Sequence, residues 1–402
     1  MRIQAAYTDT VDPEEKGESM HGRHSILCII PPHMLDEIIR NGAPEQRDIA
    51  LQTIAVSARL RSHRAVITDQ RGKAAAAAAA MGAAVSAGKQ RTIYDAKEGS
   101  QLPGTKVRGE GDPPTADAAV NEAYDGSGFT YDLYSTIFGR DSIDNSGLPL
   151  NSTVHYQKGY DNAFWDGQQM VYGDGDEDLP PDQRLFNRFT ISLDVIGHEL
   201  THGVTQYEAN LRYLLQSGAL NESWSDVFGS LVKQYSLHQT ASEADWIIGE
   251  GLFTANVNGV GIRSMKAPGT AYDDPVLGKD PQPAHMKDYV NTLNDNGGVH
   301  INSGIPNHAF YVTAREIGGS AWEKAGAIWY RALTTKLKSD SNFQDAANLT
   351  FEAAAELFGG GGSEQKAVQT GWAEVGITIG APSPDGGGCF SATLRALGLG
   401  SR

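Results

Sequence analysis

Two histidines four residues apart, with a glutamate beside the first, constrain this chain more than any other feature. The run His198-Glu199-Leu200-Thr201-His202 lies inside a helix-like pattern: Ile191, Val195 and Ile196 precede it, and Leu200 and Val204 continue the apolar face. Residues four apart on a helix lie one above the other. Both imidazoles can therefore address one point at about 2.0–2.1 Å, the zinc–nitrogen distance. Glu199 sits slightly round the helix, placed to reach a water at the metal without being a ligand. A second helix-like run, Leu220–Tyr235, carries Glu222 and Asp226 on one face, with Asn221 expected as its N-cap. Glu222 can complete a two-histidine, one-carboxylate site with an open fourth position. Asp226 can accept the second ring hydrogen of a ligating histidine and fix its tautomer. The competing reading is a pair of surface histidines flanking a salt-bridging glutamate; a third ligand close at hand weakens it.

The rest of the chain supplies the frame. From Arg91 to about Asp178 it is rich in Tyr, Thr, Val and Gly, with β-like runs at Ser152–Tyr156 and Gln169–Tyr172 between Gly/Asp/Asn turns. From Thr190 onward apolar residues recur three and four apart, over Thr190–Tyr207, Leu220–Tyr235, His300–Glu316, Ala321–Leu337 and Asn342–Phe358. Strands first and helices later predict an α+β fold in two lobes, not an alternating parallel sheet. Upstream, His33–Asn41 and Glu45–Ser62 read as two helices of a small unit. Lys73–Gln90, with seven consecutive alanines, reads as a linker or weak helix. The expected divisions are 1–19, a polar leader of disordered composition; 20–68, the small unit; 69–90, the Ala-rich linker; 91–207, the β-rich lobe with the zinc helix; 208–378, the helical lobe; and 379–402, a Gly/Ser-rich tail.

Charge and cysteines narrow the partners. The net charge of −16 disfavours nucleic acid, and no apolar run approaches the ~18 residues of a membrane helix. Residues 20–90 carry nine basic and five acidic side chains, or +4, whereas 91–402 carry 22 and 39, or −17. A basic leader on an acidic body suggests that the two dock, although solvated surfaces would look the same. Cys28 and Cys389 are too few for a disulfide framework. Ile26–Ile30 reads as a small buried strand with Cys28 in its core; the alternative is a Cys28 thiolate approaching the metal. The opening residues lack the basic start and apolar run of an export signal, and Met20 is a candidate start.

These residues resemble the thermolysin-like zinc endopeptidases. His198–His202 and, twenty residues on, Asn221-Glu222-Ser-Trp-Ser-Asp226 match that family's ligand pattern and spacing. Asn162-Ala163-Phe164-Trp165 resembles its substrate-edge strand, and Val171-Tyr-Gly-Asp-Gly-Asp176 follows it. Tyr213 lies eleven residues after His202, at the place of the family's transition-state tyrosine. Gly261-Ile-Arg263-Ser-Met265 resembles the segment with its substrate-binding arginine, and Asp295-Asn-Gly-Gly-Val-His300 its catalytic histidine motif. The likeness covers about 115–378. The leader, with Pro31-Pro32-His33-Met34-Leu35, resembles the short prosegment of protealysin-type members.

The resemblance implies one catalytic zinc on His198, His202 and Glu222, with Asp226 behind a ligand. Glu199 would be the general base, Tyr213 and His300 the oxyanion donors, and Asp295 the orienter of His300. Asn162, the Ala163 backbone and Arg263 would hold the peptide as an extended strand. Phe189, Val195 and Ile262 would line an apolar pocket after the cut bond, giving cleavage before Leu, Ile, Phe or Val. The implied partners are peptide and protein substrates and the chain's own prosegment as inhibitor. The implied location is extracellular by family, with the cytoplasm the alternative because no export signal is visible. The sequence departs from the pattern at the family's paired calcium site. Asp194, Asp245 and Glu250 keep their acids, but Lys233 and Ile247 replace two others, so the paired calcium site is expected to be lost, calcium dependence to be less than in thermolysin, and Lys233 to stand among the carboxylates. Two rival readings are a non-catalytic binding protein on a protease fold, which retention of Glu199 disfavours, and a hydrolase of non-peptide amides.

Overall fold

The computed structural model describes residues 27–58 and 88–381. The polar first residues, most of the Ala-rich linker and the tail with Cys389 lie outside the described residues. Six strands form one mixed sheet in the order β1-β5-β6-β4-β2-β3: β1 (Leu27–Cys28), β2 (Arg91–Asp95), β3 (Thr105–Gly109), β4 (Leu150–Val154), β5 (Ala163–Trp165) and β6 (Met170–Tyr172). Strand β4 runs parallel to β2 and β6, while β5 is antiparallel to both β6 and β1. The helical lobe follows, so the α+β reading holds.

One long element was not foreseen. Ala118–Phe138 forms a 21-residue helix, α3, inside the stretch read as β-rich. Its sequence is heavy in Gly, Ser, Thr and Tyr, which are poor helix formers. The ends are well marked: Asp117 accepts from the Ala119 and Val120 amides, and Gly139 closes the helix in the left-handed region. The small residues inside serve packing. A Cβ on Gly126 would stand 2.4 Å from Ile196 Cδ1. Tertiary contact outweighs propensity here.

The zinc-motif helix, α4 (Leu193–Tyr207), and its partner α5 (Leu215–Leu237) form the centre of the molecule. Every residue from Gly218 to Gln234 on α5 is buried, polar ones included. Two glycines let these helices approach closely. A Cβ on Gly229 would lie 2.4 Å from the Asp194 carbonyl oxygen, and one on Gly197 would lie 3.0 Å from Gly229 Cα. Helix α5 starts earlier than expected, after Leu214, so Asn221 is not its N-cap but lies in the second turn. The segment read as one helix from His300 is two, α6 (Asp295–Asn302) and α7 (Gly304–Ile317). Helices α8 (Ala325–Thr335), α9 (Phe343–Phe358) and α10 (Ser363–Glu374) complete the lobe, around Trp224, Trp329 and Trp372 in a stacked row with centroids 6.1 and 6.3 Å apart.

The leader is seated on the body. After β1 come α1 (Pro32–Asn41) and α2 (44–58). Ile29, Ile30, Met34, Leu35 and Ile38 are buried and belong to the main apolar core. His33 Nε2 lies 3.2 Å from the Tyr272 hydroxyl, and burial pushes its pKa down to about 4. Neutral hydrogen bonds complete the seat: Gln46 Nε2 donates to the Gln183 carbonyl, and the Asp161 amide to Thr53 Oγ1. Among the described residues Arg40 pairs with Glu37 inside the leader, and Lys89 Nζ pairs with Asp132 of the body at 2.7 Å; most basic residues of 20–90 lie outside the described residues. Strand pairing and apolar burial hold the docked unit.

Candidate metal centre and active site

Helical spacing on α4 and close packing of α5 bring His198, His202 and Glu222 together. One donor atom from each lies within 4.8 Å of the others, and all three residues are fully buried. His198 Nε2 is 3.5 Å from Glu222 Oε2, and His202 Nε2 is 3.4 Å from Glu222 Oε1. His198 Nε2 and Glu222 Oε2 have no hydrogen-bond partner among the described residues. Buried polar atoms left so are costly, and a divalent cation between them removes the cost. The donor set, two imidazoles and one carboxylate, is that of a catalytic zinc with an open position. The residues present fit the metal.

The other ring nitrogens are occupied in the way such a centre needs. His198 Nδ1 lies 2.8 Å from Asp226 Oδ1. His202 Nδ1 lies 2.8 Å from both Asn221 Oδ1 and Ser225 Oγ, and the Asn221 amide donates to the Leu211 carbonyl. Sequence reasoning missed Asn221 and Ser225 in this position. The one signal available was that Ser225 is three residues, and Asn221 one residue, from Glu222 on the same helix. Asp226 also accepts from Arg263 Nε and Nη2 at 2.8 and 2.7 Å, and from Asn307 on α7 at 2.8 Å. Burial alone would raise the Asp226 pKa, but the Arg263 guanidinium outweighs it and holds the carboxyl well below the ordinary range. Asp226 is thus held as an anion, with Arg263 as its counter-ion.

Glu199 is fully buried, and its Oε2 accepts the Trp165 amide of β5 at 3.1 Å. Across the cleft, Asp295, Asn296, Gly297 and Gly298, the first four residues of α6, all take positive φ, and the right-handed turn begins only at Val299. Glycine is needed here twice over: the turn is left-handed, and a Cβ on Gly297 would stand 2.5 Å from Leu215 Cδ2. This turn sets Asp295 Oδ1 2.6 Å from His300 Nδ1 and Oδ2 2.8 Å from the His300 amide. Burial pulls the His300 pKa down, but Asp295 and then Glu222 outweigh it and raise it to about 9. His300 Nε2 lies 3.0 Å from the Tyr213 hydroxyl, which donates to Glu222 Oε1.

The described residues of the leader enter this cleft. The Cys28 carbonyl is 3.1 Å from His300 Nε2, and Arg263 Nη1 donates to the Ile29 carbonyl at 3.3 Å. The Ile29 amide donates to the Ala163 carbonyl, and the Ile30 amide to Asn162 Oδ1 at 3.0 Å. The Cys28 sulfur points elsewhere, 3.9 Å from Ser57 Oγ, in an aromatic cluster with Tyr156, Tyr160 and Phe164. Phe189, Val195 and Ile262 are fully buried. The cation cluster takes the expected form: Lys233 Nζ lies 3.3 Å from Asp194, 2.6 Å from Asp245 and 2.8 Å from Glu250.

Known proteins resemble this arrangement along nearly the whole chain. The profile described as thermolysin metallopeptidase, catalytic domain, matches residues 65–206. The one described as thermolysin metallopeptidase, alpha-helical domain, matches residues 209–377. An extracellular metalloprotease of Pectobacterium carotovorum is 51% identical, over 88% of this chain and 97% of that protein. An extracellular minor metalloprotease of Serratia marcescens is 44% identical, over 74% and 79%. Among solved structures, the precursor of protealysin, a metalloproteinase from Serratia proteamaculans, superposes with a TM-score of 0.77 at 51% identity, covering 88% of this chain and all of that one.

Proposed function

We propose, from the premise that this chain belongs to the thermolysin metallopeptidase family and is a zinc metalloendopeptidase, that it cuts proteins before bulky apolar residues and is made as a precursor that processes itself. The carrying observation is the convergence of His198, His202 and Glu222 on one point beside Glu199. Those three residues would hold zinc, which when bound would supply the Lewis acid that acidifies water and polarises the scissile carbonyl. Glu199, oriented by the Trp165 amide, takes the proton of the attacking water and passes it to the leaving amine. His300, held as a cation by Asp295, and Tyr213 donate to the oxygen on which charge develops. Asn162, the Ala163 backbone and Arg263 bind the substrate main chain, and Phe189, Val195 and Ile262 give the pocket its apolar preference.

Asp226 acts through His198. Asp226→Asn is expected to weaken zinc binding about 10–100-fold, as for other second-layer partners of ligating histidines. Competition against a chelating dye measures this, and an unchanged affinity would remove Asp226 from the role. The leader, 20–68, serves as inhibitor, supported by β1 lying along β5. Work outside the cell is supported by relatives named as extracellular; among the described residues no helix is long and apolar enough to cross a membrane. Lys233 in the acidic cluster supports a chain without paired calcium.

The test is casein hydrolysis by the purified protein. A zinc chelator is expected to reduce it to background and added zinc to restore it, with peptide products starting at Leu, Ile, Phe or Val. Chelator-resistant hydrolysis, or cuts after basic residues, would overturn the reading.

A further inference from the structure

Three consecutive leader residues occupy every main-chain contact assigned above to a substrate. The Cys28 carbonyl faces His300 Nε2 at 3.1 Å, and that nitrogen is 3.6 Å from Glu222 Oε2. Next along the chain, the Ile29 amide meets the Ala163 carbonyl at 3.3 Å and the Ile29 carbonyl accepts from Arg263 Nη1. The Ile30 amide then meets Asn162 Oδ1. The leader runs antiparallel to β5, with Cys28 opposite Phe164 and Leu27 opposite Trp165, whose amide fixes Glu199. Direction, register and donors agree at one peptide bond. Its carbonyl oxygen is at one oxyanion donor, His300 Nε2, its nitrogen is at a backbone acceptor, and the residue after it is a fully buried isoleucine in the core that includes Phe189, Val195 and Ile262.

We infer that the Cys28–Ile29 bond is a substrate of this site, held in cis, and is the first bond the precursor cuts. A merely obstructive leader would need none of this register. Hydrolysis consumes one water: its oxygen bonds to the Cys28 carbonyl carbon, the bond to the Ile29 nitrogen breaks, and Glu199 moves the proton from the water to that nitrogen. Residues 1–28 leave as one piece with a new carboxylate. The part that begins at Ile29 stays seated, because Met34, Leu35 and Ile38 of α1 remain buried. The cut therefore opens the near side of the cleft before the leader as a whole departs.

The inference rests on the proposed function, and the experiment separates the two. The full chain is purified in chelator, zinc is added, and intact masses are followed over time. Expected first is a fragment starting at Ile29, with a half-time unchanged on about tenfold dilution because the reaction is unimolecular. Glu199→Ala yields no such fragment. A synthetic peptide spanning residues 24–34, given to the processed enzyme, is cut between Cys28 and Ile29. The same peptide with Ile29→Asp is cut about tenfold more slowly or less, since an apolar pocket rejects the carboxylate; this arm needs no folding of a variant chain. If the chain digests casein but the Cys28–Ile29 bond survives in both chain and peptide, the inference falls and the proposed function stands. If casein is untouched with zinc present, both fall.

Discussion

Glu199→Ala is expected to lower casein hydrolysis by a factor of about 10²–10⁴, the range for loss of a positioned acid–base group, while zinc stays bound. The separation follows from geometry. The ligand atoms come from His198, His202 and Glu222, and their supports are Asp226, Asn221 and Ser225. Glu199 belongs to neither set; its Oε2 accepts the Trp165 amide. Alanine would leave that amide short of an acceptor in a buried place, at a cost of about 1–3 kcal/mol, which a protein of this size tolerates. Zinc content by metal analysis and activity on casein must therefore diverge. If zinc and activity disappear together, Glu199 is structural to the centre and the assignment of the base is wrong.

The second large effect is on stability. Lys233 is buried among three carboxylates, and burial would lower its pKa; Asp194, with Asp245 and Glu250, outweighs that and raises it above the ordinary lysine value. Lys233→Ala leaves Asp194, buried on α4, and two neighbours with no cation between them. Breaking a fully buried pair costs about 3–5 kcal/mol. Glu250 and Asp245 are partly open to water, so screening reduces the expected loss to about 2–3 kcal/mol. Thermal unfolding should then shift downward by several degrees, and calcium should recover part of the loss in the variant because it can stand where the ammonium stood. In the unaltered chain calcium should have no effect. Two tightly held calcium ions in the unaltered chain would sink this account.

Features that reside in one helical turn were legible in the sequence. The spacing of His198 and His202 needs only helix geometry, and Glu222 needs only that a second helix pass nearby. Features that depend on which surfaces meet were not. Helix α3 was hidden because Gly126, Ser127, Gly128 and Thr130 depress helix propensity, and the glycines are small because of residues far along the chain, Ile196 at Gly126 and Arg91 at Gly128. Asn221 looked like a cap because a polar residue before an apolar run usually is one; its true context is the His202 ring. The described seat of the leader is built of backbone pairing and aliphatic side chains, which leave no trace in net charge. Likewise the composition at 26–30 indicated a strand, but only the sheet shows which bond of it meets His300.

Strand β1 has one further consequence, in what its proposed departure would leave behind. It is the outermost member of the six-stranded sheet, and β5 is its neighbour. A sheet margin with unpaired amides and carbonyls is a template for any extended chain that reaches it. The newborn protein thus ships with its adhesive rim already covered by its own polypeptide. On the proposed processing, loss of that cover would leave β5 as the margin, where an extended substrate chain could pair in its place.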